Sequence, residues 1–418
     1  MAAFDALRGW TTAQKHVVFA SWLGWTLDAF DFFLMVFVIK DVAHAFGATK
    51  TEIAWAITLT LALRPIGAFI FGRLADRFGR RPVLMADVAL YSLLGFATAF
   101  SPNLIAFLIV RALFGVAMGG EWGIGASLTM ESIRPEARGL VSGLLQSGYP
   151  TGYLLASIVY RNFYEPLGSL TGLAPWRSLF LVGIVPALLI LYIRRHVPES
   201  PGWSREHARS GTVISVLKKH WQLALYAIVL MTAFNFFSHG TQDAYPTFLQ
   251  VQHHFDVYTT GDIAIVYNIG AIIGGLTFGF FSQSFGRRRA IVVAALFAIP
   301  VTYLWAFSQT AAMLALGAFL MQFFVQGAWG VIPAHLNELS PADARGTFPG
   351  TVYQLGNFIA SYNLPLQTAI AARMHENYSF ALVGVAIAAA VVIAVLTALG
   401  REARDVDFTA KARAKPAD

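Results

Sequence analysis

The residues of this sequence best suited to chemistry are charged and amide side chains set inside apolar runs. Asp28 and Asp31 stand three apart in LDAFDFF, on roughly one face of a shared helix. A carboxylate in hydrocarbon must be paired, protonated or turned to water, so either can carry a proton or bond a neighbouring helix. Glu121, in MGGEWG, has the same two options. Arg64, followed by Pro65, keeps its charge and needs an anion, either a protein carboxylate or a ligand carboxylate gripped bidentately. Arg111 is equally suited to a structural pair. In NFFSHGTQDAYPT, Asn235, His239 and Gln242 recur at i, i+4 and i+7, with Asp243 four residues after His239. Imidazole titrates near neutral pH, so the His239–Asp243 pair suits a proton relay on a hydrated polar face. Gln354 and Asn357, in YQLGN, offer donors and acceptors without charge. Trp25, Trp122, Trp329 and Tyr353 are candidates for a cavity wall.

These residues need apolar elements to hold them. The chain is 56% hydrophobic and only 13% charged, where soluble domains carry about 25% charged residues. Its apolar runs, at 17–39, 53–71, 82–100, 103–122, 139–160, 176–193, 222–245, 262–281, 290–307, 312–333, 347–367 and 379–398, approach the roughly 20 residues that cross a bilayer. An all-α membrane protein of twelve transmembrane helices is expected. The first run has no A-x-A-like exit and is read as a helix rather than a cleaved signal. The polar stretch 194–220 divides an N-terminal six-helix bundle (1–193) from a C-terminal one (221–398), with a cytoplasmic tail at 399–418.

Placing both termini in the cytoplasm puts 23 of the 30 Lys and Arg residues in inner segments, leaving Lys40, Lys50, Arg161, Arg177 and Arg373 outside. The positive-inside rule favours that orientation. Spread over alternate loops, the +7 charge gives no single basic face, so no nucleic-acid partner is expected. Cysteine is absent, which excludes thiolate chemistry. No metal cluster or nucleophile–base constellation appears in the sequence, so neither an enzyme nor a cofactor is expected. With no attached signalling domain, a receptor is also disfavoured.

The two halves match at one offset of 207 residues. Gly72, Gly79, Arg80 and Arg81 fall on Gly279, Gly286, Arg287 and Arg288; Glu131, Arg138 and Gly139 fall on Glu338, Arg345 and Gly346; Asp28 falls on Asn235. Repeats of this kind underlie alternating access about a central site.

The segment GRLADRFGRRPVL, Gly72 to Leu84, resembles the signature loop of the major facilitator superfamily. Arg111–Gly123 and PESPGW (Pro198–Trp203) resemble further motifs of its sugar, sialate and metabolite transporters. The seventh span is similar to the Jen-type lactate/pyruvate:proton symporter motif N-x-x-[S/T]-H-x-[S/T]-Q-D-x-x-x-T, matched by Asn235, Ser238, His239, Thr241, Gln242, Asp243 and Thr247. The resemblance implies two pseudo-symmetric six-helix bundles and proton symport of a short monocarboxylate. It puts substrate contacts on Arg64, Asn235, His239, Gln242, Gln354 and Asn357. Proton coupling would fall to Asp28, Asp31, Glu121, His239 or Asp243, and a cytoplasmic latch to Asp76 and Arg80. Sialate, an aromatic acid or a dicarboxylate is the alternative cargo. Beyond substrate, protons and lipid no partner is expected: the carrier should work as a monomer in a plasma or bacterial inner membrane.

Overall fold

The computed structural model describes residues 9–48, 50–203, 219–342, 344–375, 377–404, 406 and 408. Most of the linker, much of the tail, and the basic residues Arg8, Arg205, Arg209, Lys218, Lys411, Arg413 and Lys415 lie outside the described residues.

Each expected apolar run falls in a helical span, with bounds shifted by the capping chemistry. In the first half these are α1 (Thr12–Phe37, extended by Ile39–Phe46), α2 (Lys50–Phe78), α3 (Arg80–Thr98), α4 (Leu104–Ser132), α5 (Arg138–Gln146 and Gly148–Thr171) and α6 (Pro175–Leu181 and Ala187–His196). The second half repeats the pattern with α7 (Trp221–Gln242 and Tyr245–Val251), α8 (Val257–Phe285), α9 (Arg287–Phe307), α10 (Ala311–Leu339), α11 (Phe348–Ala360 and Asn363–Arg373) and α12 (Tyr378–Leu399). Among the described residues, nine of these spans are long and apolar enough to cross a membrane. The other three are α3, of 19 residues, and the broken pairs α5 and α11. Leu170, Ile105 and Leu399 are 83, 71 and 80% exposed on the outside of the bundle, a surface that suits lipid tails rather than water.

The segment Gly72–Leu84, expected as a loop, is almost wholly helical: α2 runs through Phe78, and α3 begins at Arg80. Only Gly79 interrupts, at φ 106°, and its repeat partner Gly286 does the same at 94°. A side chain is strained there, which accounts for glycine at both turns. Neither turn residue caps its helix with a side chain. Glu199 of PESPGW accepts from the backbone N–H of Arg80 at 2.8 Å, and Glu402 accepts from those of Arg287 and Arg288 at 3.2 and 3.1 Å. Each carboxylate therefore sits on a helix N-terminus, where the free N–H groups and the dipole favour an anion.

The halves meet through glycines in an exchanged pattern. A Cβ on Gly72 would come 2.8 Å from Thr347 Cα and 2.9 Å from Gly346 O; one on its repeat partner Gly279 would come 2.7 Å from Gly139 O. Gly139 and Gly346 are themselves repeat partners, so the two contacts are related by a pseudo-two-fold axis. Backbone-to-backbone approach of this kind is how membrane helices pack without a hydrophobic driving force.

Candidate functional site

The site lies where α1 and α2 of one half face α7, α10 and α11 of the other, with α5 alongside. Its cavity is about 30 Å³, and Asp28, Arg64, Gln146, Tyr149, Asn235, Ser238, His239, Gln326 and Asn357 are among its lining residues. A space that small holds about one water molecule. On the side opposite the termini it widens into a vestibule of about 410 Å³, lined in part by Tyr153, Gln242, Asp243 and Tyr267. Phe32, Leu61, Tyr149 and His239 border both spaces and form the throat between them.

Polar atoms without a protein partner converge on the small cavity. Among the described residues, Arg64 Nε, Trp25 Nε1, Gln326 Oε1 and both Asp28 oxygens are buried with no hydrogen bond. Arg64 is 4% exposed. Its Nη2 reaches only the Met118 sulfur at 3.4 Å, and its guanidinium lies 5.2 Å from the Phe32 ring centroid. Asp28 and Arg64 act on each other electrostatically but form no ion pair among the described residues. A buried guanidinium without a bonded anion costs several kcal/mol, roughly, so Arg64 keeps an unused capacity to bind an anion.

The other wall is fixed by amides. His239 bonds Asn357 Oδ1 through Nε2 at 3.1 Å and Asp243 through Nδ1 at 3.2 Å. It thus links a cavity residue to a vestibule residue. Asn357 Nδ2 donates to Gln354 Oε1 at 3.3 Å, Asn235 Nδ2 to Met231 O at 2.7 Å, and Gln326 Nε2 to Ser238 Oγ at 3.1 Å. Trp25 stacks on Tyr149 at 5.9 Å, while Tyr353 packs against Trp122 and Trp329 at 4.6 and 5.5 Å.

Several expected site residues fall elsewhere. Gln242 lines the vestibule and donates to Gln322 Oε1 at 2.7 Å, so the stripe Asn235–His239–Gln242 leaves the cavity at its third member. Gln354 lies behind Asn357 rather than on the cavity wall. Asp31 and Glu121 are buried inside the first half: Asp31 interacts with Arg111, and Glu121 presses against Gly24 of α1, whose Cβ would sit 2.4 Å from Oε1. Arg111 stacks over Phe114 at 4.2 Å. Asp76 accepts from the N–H groups of Gly346 and Thr347 at 2.8 and 3.0 Å, tying α2 to the start of α11 on the terminal side. Arg80 pairs with Asp76 and Glu131 at 3.0 and 3.1 Å.

The sequence reading did not include Gln146, Tyr149 and Gln326 in the cavity, or Asp87, buried on α3. For α10 a signal was present: Gln322 and Gln326 stand four apart in an otherwise apolar run, the spacing of one helix face.

Residues 21–261 match the profile described as Major Facilitator Superfamily, and 220–402 match Sugar (and other) transporter. A carboxylic acid transporter protein homolog of Saccharomyces cerevisiae is 30% identical over 88% of this chain, which spans 63% of the yeast protein's length. The sialic acid transporter NanX of Escherichia coli is 26% identical, covering 91% of this chain and 93% of its own. A probable 4-methylmuconolactone transporter of Cupriavidus pinatubonensis is 29% identical, covering 89 and 90%. Among solved structures, a double-tryptophan mutant of XylE superposes with a TM-score of 0.73 at 19% identity, covering 94% of this chain and 97% of its own. The human organic anion transporter MFSD10 does so at 0.69 and 16%, covering 91 and 99%.

Proposed function

This chain belongs to the major facilitator superfamily, a multi-pass membrane transporter rather than an enzyme, and from that premise we propose that it is a proton-coupled symporter of short monocarboxylates such as lactate or pyruvate. The observation that carries the reading is Arg64, a buried guanidinium without an ion-paired anion among the described residues, facing His239 and Asn357 across a nearly closed cavity. A carboxylate fits that guanidinium bidentately. The hydroxyl or keto oxygen of lactate or pyruvate would meet Asn235 or Asn357, which can donate or accept.

The cycle follows from charge and from the two spaces. Substrate and a proton enter by the vestibule. His239, bonded to Asp243 on the vestibule side and to Asn357 on the cavity side, is placed to pass the proton inward; Asp28, beside Arg64, is placed to receive it. Binding of the monoanion to Arg64 weakens that arginine's hold on Asp28, which favours Asp28 taking the proton. One proton with one monoanion carries no net charge, so the loaded cavity can close in a low-dielectric medium without an uncompensated ion. The halves 1–193 and 221–398 then rock about the glycine contacts and open the terminal side. Asp76 and Arg80 act as the latch that must release. Asp31, which interacts with Arg111, and Glu121 are the alternative acceptors of that proton within the first half. The terminal side is assigned to the cytoplasm on the distribution of basic residues, in a plasma or bacterial inner membrane, with one chain as the working unit.

A larger organic acid is the second reading, favoured by the 410 Å³ vestibule and by relatives whose names include sialic acid and 4-methylmuconolactone. Competition against bound radiolabelled lactate separates the two in purified protein. Unlabelled lactate and pyruvate should displace the label at least tenfold more effectively than nicotinate, succinate or sialate. The reverse order would replace the first reading with the second.

A further inference from the structure

On the terminal side, the chain's last described residue lies across the seam between the halves. Phe408 is 7% exposed. Its ring centroid is 3.7 Å from the Arg138 guanidinium carbon and 4.1 Å from that of Arg345. Arg138 starts α5 in the first half, and Arg345 precedes α11 in the second; the two are repeat partners at the 207-residue offset. The ring therefore contacts equivalent cations from both halves, close to the pseudo-two-fold axis. Arg138 Nη1 also donates to Val406 O at 2.6 Å. Around the ring the packing is shared: Val18, Met130, Ala137 and Val141 come from the first half and Ala334 from the second.

Arg138 also approaches Glu338 at 3.9 Å and donates through Nε to Met130 O at 3.1 Å. Arg345 interacts electrostatically with Glu131, Asp76 and Arg80; Arg80 already bonds both acids. A ring that offers its π system to a guanidinium from each half is a neutral way to hold the two halves together. Opening the terminal side moves Arg138 and Arg345 apart, and one ring cannot follow both.

We propose that Arg138 and Arg345 form a docking site for the chain's own Phe408, and that this docked segment restrains opening of the terminal side. The docking stands on its own; its effect on transport rests on the carrier reading above.

The chain contains no cysteine, so a spin-label pair can be introduced directly through Glu136→Cys and Ala342→Cys, both exposed positions flanking the seam. Double electron–electron resonance in lipid nanodiscs reads the distance between the halves. Phe408→Ala should enlarge the long-distance, terminal-side-open population at least twofold, while Phe408→Trp should preserve the wild-type distribution. Wild-type distances in Phe408→Ala would overturn the docking, and wild-type distances in Phe408→Leu would overturn its ring–arginine basis. If Phe408→Ala fails to fold, the Trp–Leu comparison decides alone. In liposomes, Phe408→Ala should also raise the rate of lactate counterflow about twofold or more. Altered distances with lactate counterflow absent from every variant, wild type included, would support the docking and contradict the transport reading.

Discussion

Arg64 is the residue on which substrate recognition turns. Its guanidinium is buried and, among the described residues, has only a sulfur for a hydrogen-bond partner, so a carboxylate supplies what the fold withholds. Charge-assisted hydrogen bonds contribute about 1.5–3 kcal/mol, so Arg64→Gln should weaken lactate binding by roughly 10- to 150-fold. Equilibrium dialysis with labelled lactate checks this, and unchanged affinity would remove Arg64 from the site. For the relay, His239→Gln should keep counterflow, which needs only binding and exchange, and lose accumulation driven by a pH gradient. Equal loss of both would make His239 a binding residue alone. Gln242→Ala should leave lactate affinity within about twofold, whereas Asn357→Ala should lower it tenfold or more; the opposite ranking would favour the sequence reading of the stripe over the structure. Gln242 lies on the same side of its helix as Asn235 and His239 but at a different depth. Seven residues return to nearly the same face but climb roughly 10 Å along the axis, past the throat at His239 and into the vestibule. Depth is set by how the helices stack, which spacing within one helix does not encode. Asp31 and Glu121 stood out for the same chemical reason as Asp28, yet only Asp28 turns toward the cavity.

At the scale of the helix, the twelve spans were legible because bilayer thickness imposes a length and an apolar composition that few other structures share. The ends were less legible. Gly72–Phe78 carries charges that suggest a loop, but Asp76 within it is bonded to the start of α11 and paired with Arg80 just beyond it. Helix α2 can therefore continue beyond the apolar run. The glycines tell a similar story. Which helices they bring together required the fold. A Cβ on Gly67 of α2 would lie 1.7 Å from the carbonyl oxygen of Val116 on α4. Overpacking of this kind costs about 1–3 kcal/mol, so Gly67→Ala should lower the thermal-unfolding midpoint of the purified protein. Gly261→Ala, on α8 with nothing within 4 Å of its Cβ, should not. Similar midpoints for the two would mean that the α2–α4 approach is looser than described.

At the scale of the whole molecule, the repeat was the most informative signal in the sequence. It anticipated two related halves, and the structure's exchanged contacts, Gly72 with Gly346 and Gly279 with Gly139, locate the axis that relates them. It did not reveal which side is closed. That depends on contacts between the halves: Asp76 on Gly346 and Thr347, Ser127 donating to Arg345 O at 2.9 Å, and Ala334 N–H donating to Ser142 Oγ at 3.0 Å. All three lie on the terminal side, and the vestibule lies on the other. Asp76→Asn keeps the shape but loses the charge that favours the α11 N-terminus. It should raise the labelling rate of a cysteine introduced deep on the terminal side, read with a membrane-impermeant maleimide; an unchanged rate would contradict the latch. The central claim is coupling of a carboxylate to a proton, and gradient-driven uptake tests it most directly. Purified protein in liposomes, with an acidic exterior and a neutral lumen, should accumulate labelled lactate above the external concentration, and a protonophore should abolish that accumulation. Lactate uptake that only equilibrates, whatever the imposed pH gradient, would contradict the account.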